Sequence, residues 1–412
     1  MRRDELRSRR VIAPWSWHAI STLVLTLVLA ACAPAAPPPP TPTSAPKPAA
    51  ATPAPAATKA APAPAAATAA PAPSKATPAA KGPSAALAQV IEGTKREGRV
   101  QAMLQTGMVG EPVKEIQQGI KAKYGVDLQI DAVPSQSYPV ALSAAIAEHK
   151  AGVEPSLDII PLGVLQAVDA IKAGIAEKVD WAPLLREGTP KEVIQQDGYA
   201  VVTFMSHSGL AYNPKVIAPS EVPKSFTDLA NPKWKGKLAM YSYPVTYVTY
   251  AYALGADKFI STLREIAKNN PVVEPYAQGE TRFTAGEYPL LVTQSSTLVS
   301  VRNKGIQAEW VSLDISYIQK HNMIVRKGTK RPNAAKLLTV FLASPEGHKI
   351  YNKTGRGTMF YPGNFEFEVH DRDVKAGMKV YAQDDPPDIV SFFLSDKGKQ
   401  LEKEIGDILQ QK

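Results

Sequence analysis

"RVQAMLQTGMVGEPVKEIQQGIKAKYGVDLQIDAV", Arg99–Val133, decides the fold class. Its first seven residues, Arg99–Gln105, form a short apolar run of strand length. After Gly110-Glu111-Pro112, the residues Val113, Ile116, Ile120 and Tyr124 recur at steps of three and four, the period of a helix with one buried face. Pro112 suits a first helical turn, where its missing N–H would have had no acceptor, and Gly125 suits the end. "VDLQIDAV" then alternates apolar and polar residues, the period of a half-buried strand.

The same alternation continues outward. "LAQVIEGTKREG" before it reads as helix. "YPVALSAAIAEHKAG" after it is helical, "LDIIPLG" is a short buried strand, and "VLQAVDAIKAG" is a helix closed by Gly174. Units of this kind predict an α/β class with a mostly parallel sheet and helices on both faces. "YAVVTFMSHSGLAYNPKVI", Tyr199–Ile217, is extended chain that leaves this group. A second series follows: a strand at Lys237–Tyr241, helices over Val245–Leu254 and Asp257–Asn269, a strand near Val272–Glu274, a helix from Gly279, and the strand "YPLLVTQ". "AEWVSLD" reads as a strand and "HNMIVRK" as the return to the first group. "RPNAAKLLTVFLASPEGHKIYNKTG" is one long helix or two, and "FFLSDKGKQLEKEIGDIL" a closing helix. No repeat of 20–50 residues is visible.

The N-terminal end has a different character. The apolar run Ala19–Ala31 falls well short of the roughly 20 residues a bilayer requires. Arg2, Arg3, Arg7, Arg9 and Arg10 precede it and small residues end it, the layout of a secretory signal. From Ala33 to Pro83 the chain is almost wholly Ala, Pro, Thr, Ser and Lys, with no aromatic residue, Leu, Ile, Val or Met. Such a segment buries too little apolar surface to offset its ordering entropy. Its prolines break helices and favour an extended tether, reaching at most on the order of 150 Å at about 3.1 Å per residue.

Charge and cysteine usage bound the function. The formal net charge is +9, which invites a nucleic-acid reading. Residues 1–84 hold nine Lys/Arg against two Asp/Glu, however, and residues 85–412 only 38 against 36. The part able to fold is nearly neutral, so nucleic-acid binding loses its main support. Cys32 is the one cysteine, which leaves no disulfide and no thiolate metal site. The six histidines show no metal-ligand spacing. There is no G-x-S-x-G elbow, H-E-x-x-H helix or glycine-rich phosphate loop. An exported enzyme and an adhesive surface protein stand as alternatives without a motif.

Two resemblances organise the rest. Leu29-Ala30-Ala31-Cys32 resembles the lipobox of bacterial lipoproteins, which implies cleavage before Cys32 and its lipidation. "SFTDLANPKWKGKLAM", Ser225–Met240, resembles the second-lobe signature of type II extracellular solute-binding proteins of ABC importers, the branch that includes ferric-ion-binding proteins. "AYNPKVI" before it, "FTAGEYPLLV" after it, and "KGTKRPNAAKLLTVFLASPEGHKIYNKTGRGTMFYP" downstream fall in matching order, over about residues 85–365. The resemblance implies two α/β lobes joined by two crossings, a ligand clamped between them by hinge closure, and delivery to an ABC permease with its ATPase. It implies a monomeric, exported protein held at the extracytoplasmic side of a bacterial membrane by lipid on Cys32. The expected organisation is a signal at 1–31, a tether at 32–84, lobe 1 at 85–212, lobe 2 at 213–312, and a return crossing with C-terminal helices, mainly in lobe 1, at 313–412.

In open α/β sheets, ligands sit beyond the carboxyl ends of strands, where helix N-termini present free N–H groups. The segments so placed contribute Gln105, Thr106, Gly107 and Gly163 in the first lobe, and Tyr241, Ser242, Tyr243, Ser295 and Ser296 in the second. The crossing adds Ser206, His207 and Tyr212. Ser242 is the expected helix cap ahead of Pro244. Arg356 and Arg282 are candidate carboxylate or phosphate partners. Tyr243, Tyr247 and Tyr250 share helical spacing. Ferric-binding relatives bind metal through a pair of tyrosine phenolates, so Tyr241, Tyr243 and Tyr247 are the candidates if the ligand is ferric ion. The adjacent tyrosine pair of those relatives is missing here, and a small organic or anionic solute ranks above ferric ion. No resident cofactor is expected.

Overall fold

The computed structural model describes residues 82–135 and 137–410. The signal, Cys32 and nearly all of the tether lie outside the described residues. Among the described residues, eleven strands form one sheet: β1 (Arg99–Gln105), β2 (Gln129–Ser135), β3 (Ile159–Gly163), β4 (Ile194–Gln195), β5 (Ala200–Tyr212), β6 (Leu238–Tyr241), β7 (Val272–Glu274), β8 (Leu290–Gln294), β9 (Glu309–Val311), β10 (Ser316–Val325) and β11 (Val380–Ala382). Their order is β2-β1-β3-β10-β5-β8-β6-β7, with β11 beside β10 and β4 and β9 beside β5.

β1 pairs in parallel with β2 and β3, as the opening βαβ reading requires. β6 pairs in parallel with β7 and β8. Between these groups run the two long crossings, β5 and β10, antiparallel to each other and to the strands they join. The sheet is therefore mixed, and parallel only within each half. β5 is buried along all of its 13 residues, so it carries no apolar–polar alternation: apolar ends flank a polar middle of Thr203, Ser206, His207 and Ser208, buried with the rest.

Helices cover both faces of each half. In the first, Ala85–Glu97, Glu111–Tyr124, Pro332–Leu342 and Pro345–Lys353 cover one face, around Val100, Leu104, Ile116, Leu337 and Phe341. Tyr138–Lys150 and Val164–Lys172 cover the other, around Leu142, Ile160, Leu162 and Ala167. In the second half, Pro244–Leu254, Ala256–Lys268, Ile389–Leu394 and Asp396–Gln410 enclose Met240, Tyr247, Leu263 and Ile405. Tyr276–Thr284, Ser295–Asn303 and Phe365–Lys375 form the remaining layer with Phe283, Leu298, Trp310 and Val369. Two expectations change here. The stretch after β10 divides between the halves, because the apolar stripe of Asp396–Gln410 (Leu401, Ile405, Ile408, Leu409) closes the second core. The closing helix is two helices, separated at Ser395, whose hydroxyl accepts the Gly398 N–H at 3.0 Å. Among the described residues, no helix is long and apolar enough to cross a membrane.

Candidate functional site

The register of four neighbouring strands creates the site. β3 pairs with β10 only over His321–Val325, and its last residue, Gly163, lies opposite His321. β8 pairs with β5 only over Ser208–Tyr212, and its last residue, Gln294, lies opposite Ser208. Across the ribbon, His321 pairs with Phe204 and Tyr317 with Ser208. The carboxyl ends of the two parallel groups therefore face each other over a gap floored by the ribbon, Met205–His207 of β5 and Ile318–Lys320 of β10, with β11 reaching in beside Ile318 and Gly357 bridging to Met205. Every parallel strand ends toward this gap, β11 included, whose last residue Ala382 lies opposite Ile318, and the helices that follow point their amino ends at it, a setting that favours negative charge and hydrogen-bond acceptors.

Alternation divides the floor between two faces. Phe204, Ser206 and Ser208 pair with His321, Gln319 and Tyr317 and share one face. There His321 stacks on Phe204 with ring centroids 4.0 Å apart. Its Nδ1 lies 2.9 Å from the Tyr138 hydroxyl and its Nε2 3.2 Å from Ser206 Oγ. Burial, helped by the nearby Arg356 charge, pushes the His321 pKa down to about 3, so the ring is neutral at physiological pH. Burial raises the Tyr138 phenol to about 12. Gln105, at the end of β1, accepts from the Tyr351 hydroxyl at 3.3 Å, and its amide nitrogen is buried without a partner among the described residues. From the second half, the Gln294 amide donates to Gln319 Oε1, and Tyr276 packs on Tyr243 with centroids 4.8 Å apart.

Arg356 closes the first-half side. Its guanidinium donates to Thr354 O and Thr354 Oγ1, both at 3.2 Å, and to Thr106 O at 2.5 Å, and lies 5.9 Å from the centre of the Phe204 ring. A Cβ on Gly107, whose φ is +88°, would stand 3.4 Å from Arg356 Nη1. A side chain there would be strained by the backbone and would crowd the cation.

His207 faces the other way. Its Nδ1 lies 2.7 Å from Glu366 Oε2, and its backbone N–H donates to Ser295 Oγ at 2.8 Å and Glu366 Oε2 at 2.9 Å. Ser295 Oγ donates to the other carboxylate oxygen. In the gap, β5 has lost its neighbour on this edge, and its outward N–H groups require substitutes. Gly357 O takes Met205 N–H at 2.8 Å, and Ser295 and Glu366 take His207 N–H. His207 and Ser295 thus brace the floor from behind rather than face the cleft.

The structure gathers Gln105, Thr106, Gly107, Gly163, Ser206 and Arg356 around the gap, with Tyr243, 40 % exposed, at the rim. Ser296 stands half-buried in the first turn of the helix following β8. It does not bring in Tyr212, which pairs with Leu290 and Glu309 at the far end of β5. Tyr241 is 1 % exposed and shares a hydrogen bond with Ser208 Oγ at 2.9 Å, and Tyr247 is fully buried and donates to Tyr241 O at 2.9 Å. Burial drives both phenols well above their ordinary range. Tyr243, not Ser242, is the capping residue of Pro244–Leu254. Ser242 instead donates its N–H to Glu274 O at 3.0 Å and borders a cavity of about 220 Å³ beside Leu263 and Ile408. Arg282 pairs with Glu287 at 2.7 Å and Glu274 at 3.1 Å, as a surface ion pair. Local pattern missed Tyr138, Tyr276, Gln319 and His321. Tyr138 and Tyr276 open helices directly after β2 and β7, and a strict search of post-strand segments would have found them.

Residues 163–385 match the family described as bacterial extracellular solute-binding protein. No curated protein matches the sequence. Among solved structures, iron-bound HitA from Pseudomonas aeruginosa is similar at 16% identity and TM-score 0.57, covering 75% of this chain and 99% of that one. The substrate-binding protein of an ABC transporter from Agrobacterium tumefaciens is 13% identical with TM-score 0.62, covering 78% and 97%. An ABC transporter substrate-binding protein from Bradyrhizobium japonicum USDA 110 is 18% identical with TM-score 0.57, covering 76% and 100%.

Proposed function

Because this chain belongs to the bacterial extracellular solute-binding protein family, we propose that it captures a small organic solute in the interlobe gap by hinge closure and hands it to an ABC permease driven by its ATPase. The observation that carries this reading is the register gap between Gly163 and Gln294, spanned by the β5–β10 ribbon with β11 alongside only as far as Ile318. A wide sheet resists bending because neighbouring strands brace each other, whereas a two-stranded ribbon twists readily. The halves are therefore free to close on a solute, excluding water and adding contacts from both sides.

The tyrosine geometry favours an organic solute over ferric ion. A ferric site needs phenolate oxygens turned toward the metal, yet the Tyr241 and Tyr247 hydroxyls are spent on Ser208 and Tyr241 O inside the core. Only Tyr243 of the three stands at the rim. Small-angle scattering of the full-length protein, with ferric citrate and with a pooled set of small organic solutes, tests the proposal. A fall in radius of gyration with the organic pool supports it. Tight binding of ferric salt with a visible phenolate charge-transfer band overturns it.

The export signal and the lipobox support anchoring at the extracytoplasmic face through acylated Cys32, with residues 33–83 as tether. Two or more acyl chains are needed for stable attachment. Intact-mass measurement of membrane-extracted protein reads the lipid directly, and Cys32→Ser abolishes it.

A further inference from the structure

Arg356 is a half-buried cation among neutral oxygens. Among the described residues, no carboxylate pairs with it. Glu280, whose charge reaches it, is already engaged with Lys304 and Ser300, each at 2.6 Å, and Asp384, on the β10 floor, with Lys320 at 2.8 Å. Glu366 is tied to His207 and Ser295 on the opposite face. The cleft wall therefore carries one uncompensated positive charge, and a partly desolvated charge without a counter-ion is unfavourable. Beside it, the buried Gln105 amide nitrogen has no acceptor at hydrogen-bond distance among the described residues, the Tyr138 hydroxyl lying near its side chain. Guanidinium Nε–H makes no bond among the described residues either. Two donors on this wall without acceptors among the described residues call for an anionic oxygen group.

We propose that the solute is a small organic monocarboxylate, a hydroxy or keto acid without an ammonium group, whose carboxylate docks on Arg356 and Gln105. This inference rests on the interlobe reading above. The other groups around the gap are neutral: Tyr138, Ser206, Tyr276, Gln294, Gln319 and His321. They suit hydroxyl and carbonyl groups on the body of the solute. A phosphomonoester would bring a second negative charge with no second cation to meet it. An ammonium group would find no free carboxylate.

The test exposes full-length wild type, Arg356→Gln and Arg356→Lys to one equimolar pool: glycolate, lactate, pyruvate, gluconate and 2-oxoglutarate; glucose and glycerol; glucose-6-phosphate; alanine and putrescine; and ferric citrate. Retained compounds are identified by mass spectrometry, and each is then titrated calorimetrically. The expected result is retention of a monocarboxylate by wild type, with affinity about 10- to 100-fold weaker in Arg356→Gln, the worth of a charge-assisted hydrogen-bond pair. Arg356→Lys, which keeps the charge but loses the fork, should fall between. Unchanged melting of the variants separates lost binding from lost folding, and if Arg356→Gln melts early, Arg356→Lys with Gln105→Leu carries the comparison. Retention of a sugar, amine, dicarboxylate or phosphomonoester overturns the monocarboxylate assignment while leaving the solute-binding reading intact. Equal affinity in all forms overturns the role of Arg356. Retention of nothing, with no compaction by any solute, overturns both.

Discussion

Glu366 performs several tasks with one carboxylate. It accepts from the His207 ring, from the His207 backbone and from Ser295, all out of water. Removing it leaves an imidazole and a backbone N–H buried with weakened or absent partners. Glu366→Ala should cost about 3–5 kcal/mol in urea unfolding, the range for breaking a buried charged network. Glu366→Gln, which keeps one acceptor, should cost less. Two other histidines give the acid side of the stability profile. Burial pushes His321 and His348 down to about 3, far below the ordinary histidine value of roughly 6.5. Between these values the unfolded chain holds protons that the folded chain refuses. Stability is thus full above about pH 6.5 and falls as pH drops toward 3, by about 1 kcal/mol per pH unit for each ring while the window lasts. Denaturant midpoints measured from pH 7 to pH 4 check this, and replacing His348 by a neutral isostere should flatten the slope.

At the scale of elements, the helices and parallel strands were legible because each carries its own period. Glu111–Tyr124 shows Val113, Ile116, Ile120 and Tyr124 on its buried face, as read from the chain alone. The wall of the gap was half legible for the same reason: Gln105 and Gly163 follow from where strands end. His321 and Gln319 did not, because they lie inside β10, and which way they face depends on register with β5, a long-range pairing that local pattern does not encode. The buried tyrosines misled in the opposite direction. Tyr241, Tyr247 and Tyr250 cluster in sequence because they pack around Phe226 and each other, with hydroxyls directed to Ser208 and Tyr241. Gly209 belongs to this scale too. A Cβ there would stand 2.6 Å from Val311 O and 2.8 Å from the Trp310 ring. Gly209→Ala should force β9 away from β5 and cost about 1–3 kcal/mol, the range for overpacking, with a blue-to-red shift in Trp310 emission as the local readout.

For the molecule as a whole, the continuous sheet joins what the two sets of cores would separate. β5 supplies Val201 and Phe204 to the first half and Leu210 and Tyr212 to the second. Neither half owns the strand, so neither should persist when the other unfolds. Trp181 reports on the first core, and Trp234 and Trp310 on the second. Single-tryptophan variants retaining one of these should show coincident urea transitions, the signature of two-state unfolding. Two separated midpoints would mean that the crossings transmit little cohesion.

The stretch of ribbon between Gly163 and Gln294 also sets where the molecule stores its response to cargo. On the edge of β5 away from β10, the amides of Met205 and His207 are held by a loop carbonyl and by side chains. Their protons trade with solvent through small torsional openings, whereas those deep in either flank wait for rupture of a core. Isotope labelling of these few positions would therefore register an occupied cleft without any knowledge of what fills it, making the backbone itself the gauge of occupancy.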